Sequence, residues 1–282
     1  MTLDGRVVVV GLGLMGGSVA RTLKRVAPQV EVDGVDPDPV AGARALDAGV
    51  IARYDAEGSH LVAEADTVVL AAPLKASLGA MGELASALGP QTVVTDVVSL
   101  KRPLLARAES LGLLDRFVGA HPMCGSEASG FGASRDDLFK GAPVWLVAHD
   151  DVAPQLRAGV EDFWTALGCE PRWTEAREHD ERMAWISHLP QLVSNALAGA
   201  IHAAGYSHSD LGPGGRDMTR LAGSSPEMWK DLMETSAPTL GTGLTSVGRA
   251  LQVVGDLLAR REVDRIAEFM ERTRGWQAGE GE

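Results

Sequence analysis

Within the run His121-Pro122-Met123-Cys124-Gly125-Ser126-Glu127 the chain gathers an imidazole, a flexible Gly-Ser step and a carboxylate. An imidazole is the side chain best suited to accept a proton near neutral pH, and a positioned base is worth about 10²–10⁴ in rate. The run follows the apolar stretch Phe117 to Ala120, which reads as a strand, so it falls at a strand's carboxyl end, where open α/β sheets keep their ligands. A second such end is Asp96-Val97-Val98-Ser99-Leu100-Lys101. Cys124 stands three residues after His121, but neighbouring positions on a turn point in different directions, so nucleophilic thiol chemistry is rejected. His202, His208 and Asp210 lack the spacing of a closed metal site, and no metal is expected.

A cofactor site precedes these residues. The apolar run ending at Val10 leads into Gly11-Leu12-Gly13-Leu14-Met15-Gly16, and Gly17-Ser18-Val19-Ala20 opens a helix. In this context Gly11 permits the tight turn, Gly13 lets the backbone approach a pyrophosphate, Gly16 lets helix pack on strand, and the helix N-terminus faces the anion. Asp36 ends the next strand about twenty residues on, where a carboxylate accepts from ribose hydroxyls and repels a 2′-phosphate, which favours NAD over NADP. Ala72-Pro73 closes a further strand, either passing beside a nicotinamide or forming an ordinary strand end.

Six strands are predicted in the first half: Arg6 to Val10, Val30 to Val35, Thr67 to Ala71, Thr92 to Asp96, Phe117 to Ala120 and Pro143 to Val147, with a seventh near Glu170 to Thr174. Runs this apolar, alternating with helical stretches, require a sheet covered on both faces, hence an α/β Rossmann fold with a doubly wound parallel sheet. From Glu175 the pattern is helical, over Ala176 to Ala204 and Pro226 to Gly275, interrupted by the breaker-rich Gly212-Pro213-Gly214-Gly215. Two domains follow: residues 1–174, binding the dinucleotide, and residues 175–282, all-helical, completing the cleft. The apolar stripe containing Trp185, Ile186, Leu189, Leu192, Val193, Leu197 and Ile201 exceeds what one helical layer needs, and a homodimer interface would take it up.

With 282 residues at 45% hydrophobic the chain can bury a substantial core, and a net charge of −12 disfavours nucleic acid or an anionic membrane as partner. Two cysteines without a secretory leader or a membrane-length apolar run point to the cytoplasm. An anionic substrate would then need local cations. Arg220 is the leading candidate, because a guanidinium meets a carboxylate bidentately. Arg216 and Lys101 are secondary, each otherwise a solvated charge.

The glycine loop, the Asp96 and His121 segments, Ser187-His188-Leu189-Pro190, and Asp217-Met218-Thr219-Arg220 with Pro226-Glu227-Met228-Trp229 together resemble the prephenate and arogenate dehydrogenases of tyrosine biosynthesis over nearly the whole chain. The resemblance implies an NAD-dependent oxidation of a cyclohexadienyl alcohol with loss of the ring carboxylate as carbon dioxide. It implies that His121 accepts the hydroxyl proton, that Ser99 holds imidazole and hydroxyl in place, and that Arg220 binds a substrate carboxylate. Glu127 would gate entry by pairing with Arg220, or orient the Gly125-Ser126 turn; Ser126 lies in the same substrate segment. His188 belongs near nicotinamide or substrate, and Gln191 stands where many members carry histidine, which bears on recognition of the substrate side chain. Trp229 would reach the neighbouring subunit's site, or simply pack its helix. Prephenate and arogenate both fit. The rivals are another Rossmann reductase with a helical domain, which would lack the His121 segment, and an NAD-binding regulator, which would have lost His121, Ser99 or Arg220.

Overall fold

The computed structural model describes residues 5–126 and 128–279, with Glu227 and Met228 described by their backbone alone. Glu127 lies outside the described residues. Eight strands form one sheet: β1 (Arg6–Val10), β2 (Glu31–Val35), β3 (Arg53–Asp55), β4 (Thr67–Leu70), β5 (Val93–Asp96), β6 (Phe117–Pro122), β7 (Pro143–Ala148) and β8 (Glu170–Trp173), in the order β3-β2-β1-β4-β5-β6-β7-β8. Helices α1 (Leu14–Val26), α2 (Pro39–Asp47), α3 (Ser59–Ala63), α4 (Leu74–Leu84), α5 (Arg102–Ser110), α6 (Pro154–Ala166) and α7 (Ala176–Met183) connect and follow them.

Alternate side chains of β1 enter different cores. Val7 and Val9 join Leu23, Val32 and Phe163 on one face, while Val8 and Val10 join Leu61, Leu70 and Leu104 on the other. A strand buried on both faces has no polar alternation to show, which is why the valine run is unbroken.

The sheet is parallel except at one pair. β6 and β7 run antiparallel, with His121 opposite Trp145. A parallel pairing would need a crossover helix, and among the described residues of the connection between these strands there is only a 3₁₀ turn, Phe131–Ala133. The doubly wound parallel sheet expected from sequence is present, with this one antiparallel pair within it. Strand β3 was not predicted, because Arg53-Tyr54-Asp55 is short and polar; it pairs with β2 through Asp33↔Arg53 at the sheet edge.

The chain divides into two compact units. The first runs to Met183 and takes in Gly223–Thr235; the second comprises Ala184–Ala222 and the residues from Ser236 onward. Helix α7, which the expected boundary at 174/175 places in the second domain, falls in the first of these compact units. His179 is wholly buried there, Met183 likewise, and Arg182 lies over the Trp145 ring, 4.8 Å from its centroid.

In the second unit a π turn (Ala184–His188) leads into α8 (Leu189–Ala203), then α9 (Pro213–Thr219), most of α10 (Pro226–Ala259) and α11 (Val263–Gln277). Leu189 packs against Gly243 of α10, and a methyl group on that glycine would lie 3.1 Å from Leu189 Cδ2.

Gly11 and Gly16 are sterically required in the turn between β1 and α1. Gly11 has φ +98°, and a Cβ at Gly16 would lie 1.8 Å from the Gly11 carbonyl oxygen. Gly16→Ala is predicted to lower the unfolding free energy by about 1–3 kcal/mol in denaturant titration, because helix and strand must move apart; unchanged stability would contradict this close approach.

Candidate active site

In the first unit a cavity of about 770 Å³ is bounded by Gly11, Gly13, Asp36, Ala72 and Pro73, with Glu57 and Glu83 at its margin. A Cβ on Gly13 would meet nothing within 4 Å. Helix α1 begins at Leu14 with no side-chain cap and no acidic residue in its first turn. Its first N–H groups are thus left for an anion, which fits a dinucleotide pyrophosphate. Asp36 accepts from the Leu12 N–H at 2.6 Å, tying its carboxylate to the glycine loop. The Leu12 side chain is buried in the core, Leu14 and Met15 pack against it, and Gly16 is enclosed by the turn.

The carboxyl ends of β5 and β6 carry the second part of the site. Asp96 and Lys101 form an ion pair with no exposure of either side chain. Lys101 Nζ also donates to the Ala120 carbonyl, while Asp96 Oδ1 accepts the Ala120 N–H at 2.9 Å. The pair thus grips both backbone groups of the residue preceding His121. Lys101 is no substrate cation: its charge is internal. Burial pushes the Asp96 carboxyl up and the Lys101 ammonium down, and their mutual attraction opposes both shifts.

His121 is held by a second chain of bonds. Its Nδ1 lies 3.0 Å from Nε2 of His179, whose Nδ1 lies 2.8 Å from Asp180 Oδ1. Asp180 also accepts the N–H groups of Lys101 at 2.8 Å and Arg102 at 3.0 Å, capping the start of α5, which has no side-chain cap of its own. A carboxylate only accepts, so His179 donates from Nδ1 and accepts at Nε2. His121 must then donate from Nδ1, which leaves its lone pair on Nε2. Burial, the largest effect on His179, drives its pKa below the ordinary value, so it serves as a neutral link in this relay.

Among the described residues no hydrogen bond joins Ser99 to His121; Ser99 is half-buried in the loop closing β5. Ser126 is exposed and accepts from the Ala128 N–H at 3.3 Å. Burial pushes the Cys124 thiol up to about 11, so it is protonated near neutral pH and is not a nucleophile.

In the second unit His188 is buried on the π turn, with Nδ1 3.3 Å from the Ser236 hydroxyl. Such turns re-aim side chains and often occur at functional positions. Gln191, one turn on, is also buried. Arg216 and Arg220 are exposed, and neither guanidinium has a hydrogen-bond or ion-pair partner among the described residues. Trp229, within the first unit, packs against the core cluster of Leu61, Leu74 and Leu232. Among the described residues no cluster of His, Cys, Asp and Glu could hold a metal ion.

Comparison with known proteins gives this geometry a family. The nucleotide-binding domain of prephenate dehydrogenase matches residues 19–170, and the dimerization domain of prephenate dehydrogenase matches residues 175–272. The chain belongs to the prephenate dehydrogenase family. It is 30% identical over 277 residues to the cyclohexadienyl dehydrogenase of Zymomonas mobilis, covering 95% of this chain and 93% of that one. To the prephenate dehydrogenase of Bacillus subtilis it is 31% identical over 278 residues, covering 94% and 70%. The crystal structure of prephenate dehydrogenase from A. aeolicus in complex with hydroxyphenyl propionate and NAD+ superposes with a TM-score of 0.91 at 26% identity, covering 99% of both chains. That of Synechocystis arogenate dehydrogenase does so at 0.82 and 27% identity, covering 97% of this chain and 99% of that one.

As a member of the prephenate dehydrogenase family the chain is an oxidoreductase with a nucleotide-binding domain and a dimerization domain. Its sequence pointed to His121 but not to the groups that hold it. Asp96, His179 and Asp180 act together only after folding; the one available signal was the adjacent His-Asp pair on a predicted helix.

Two predictions follow from the grip on His121. Lys101→Met leaves a buried carboxylate without its cation and should cost about 3–5 kcal/mol of unfolding free energy, whereas pairing it with Asp96→Leu should recover much of that loss; equal losses from single and double variants would show that the pair is not coupled. The folded pKa of His179 is depressed below 6.5, so its contribution to stability is complete above that value and is lost as pH falls through the folded pKa. Unfolding free energy should therefore decline as pH is lowered below 6.5, with a shallower decline in His179→Gln; identical pH profiles would exclude this origin.

Proposed function

We propose that the protein is a cytoplasmic, homodimeric enzyme that oxidises prephenate with NAD, forming 4-hydroxyphenylpyruvate and carbon dioxide in tyrosine biosynthesis. The observation that carries this reading is the Asp180–His179–His121 relay at the carboxyl end of β6, which leaves a lone pair on His121 Nε2 and supports that atom as the proton acceptor. The family supplies the reaction class, and the relatives named prephenate and cyclohexadienyl dehydrogenase support the substrate.

Bound NAD would supply the hydride acceptor beside the substrate carbon bearing the hydroxyl. Gly11, Gly13 and the start of α1 would hold its pyrophosphate, and Asp36 its ribose, with Asp36 and Glu57 together disfavouring a 2′-phosphate. As the hydride leaves, His121 Nε2 takes the hydroxyl proton. Loss of the ring carboxylate then sends the carbon–carbon bond electrons through the ring to that oxygen, and the imidazolium returns the proton. The products are a phenol and carbon dioxide, with no net proton released.

Arg220, assisted by Arg216, would bind carboxylate. Both cations lack an acidic partner among the described residues, which suits a dicarboxylate and opposes the ammonium of arogenate. Ser99 and Ser126 would contact the substrate hydroxyl and its surroundings, and His188 the nicotinamide or the substrate. The exposed apolar side chains of the second unit, Trp185, Ile186, Leu251, Val253 and Met270, fit a subunit interface, and no described helix is long and apolar enough to cross a membrane.

NADH formation followed at 340 nm tests the reading. Prephenate with NAD should turn over, and His121→Asn should lose at least about 10²-fold in kcat with NAD affinity intact. Turnover of arogenate alone would reassign the substrate. Loss of NAD binding together with activity would remove His121 as the base.

A further inference from the structure

The side chain after Ser187-His188-Leu189-Pro190 would, by its place in the sequence, read the substrate. Its bonds indicate otherwise. Gln191 is only 3% exposed, and its amide nitrogen donates to Asn195 Oδ1 at 2.8 Å and to the Leu221 carbonyl at 2.7 Å. A primary amide has two N–H groups, and both are engaged within the protein.

Leu221 directly follows Arg220. Arg220 itself stands at the joint between α9 and the 3₁₀ turn Arg220–Gly223, with Thr219 buried behind it and bonded to the Gly215 carbonyl at 2.8 Å. The guanidinium is exposed and has no partner of its own among the described residues, so its placement depends on how firmly the backbone beneath it is held. α8 reaches that backbone through the Gln191 amide.

We propose that Gln191 is a positioning residue for Arg220, pinning the turn that carries the carboxylate-binding guanidinium, and that it does not distinguish the keto acid from the amino acid side chain. This rests on the proposed reading of the substrate as a cyclohexadienyl carboxylate. Both prephenate and arogenate present the carboxylates that Arg220 would bind, so loss of the pin weakens both alike. Preorganised binding groups lose affinity when they must be ordered on contact.

The test combines two measurements on the full-length protein. In hydrogen–deuterium exchange without substrate, Gln191→Ala should speed exchange of the amides at 220–223 and leave those of the glycine loop unchanged. In steady-state kinetics at saturating NAD, Gln191→Ala should raise KM about tenfold with kcat and its pH profile little changed, by the same factor for each substrate turned over. The effect should vanish in an Arg220→Ala background, because a residue acting through Arg220 has nothing left to position. Gln191→His, which keeps one ring N–H for Leu221, should recover part of the loss. Unchanged exchange at 220–223, a loss confined to one substrate, or a full loss persisting beside Arg220→Ala would each overturn the proposal. Wild-type protein that turns over neither substrate would overturn the functional reading instead, with the exchange result still deciding whether Gln191 holds the turn.

Discussion

The buried Asp96–Lys101 pair is the constraint on which the site depends. Two charges removed from water are stable only when every neighbouring lone pair and proton is used, and here the neighbours are the backbone groups of Ala120 and Val98. The desolvation cost of the pair is offset only in one backbone geometry, the one that sets down His121 at the end of β6. Chemistry and folding are thereby joined, since a shift in the strand end large enough to misplace the imidazole would also leave a buried charge unsatisfied.

The same logic extends outward to α7. Asp180 caps α5, orients His179 and, through it, decides which nitrogen of His121 carries the proton. One carboxylate thus serves a helix end and a tautomer, so the start of the helical half of the sequence belongs structurally with the sheet. A base with a fixed tautomer need not reorganise as it accepts a proton, and preorganisation of this kind is a large part of what enzymes contribute to rate.

Much of this was legible in the residues. The glycine loop, its strand and Asp36 identify themselves by spacing, because a pyrophosphate demands the same close backbone approach wherever it is bound. The continuous valines of β1 reveal a sheet covered on both faces. His121 stands out as an imidazole at a strand end. Less legible were features that depend on partners far along the chain. Lys101 reads as a surface cation until Asp96 and Ala120 close around it, and His179 reads as one more helical histidine until α7 docks on β7. The antiparallel turn of β7 depends on the absence of a crossover helix, and β3 is too short and polar to show any periodicity. Gln191 is the sharpest case: its place in the motif suggests a ligand contact, and only the Leu221 carbonyl shows that its donors are already engaged.

Asp180 and His179 hold His121 with its proton on Nδ1 and its lone pair on Nε2. Nitrogen-15 NMR of histidine-labelled protein near neutral pH, with His121→Asn and His179→Gln used for assignment, reads this directly. Both rings should show a protonated Nδ1 and an unprotonated Nε2, and loss of His179 should release His121 to a mixture of tautomers. A His121 protonated on Nε2, or one whose tautomer is indifferent to His179, would show that the relay does not set the imidazole.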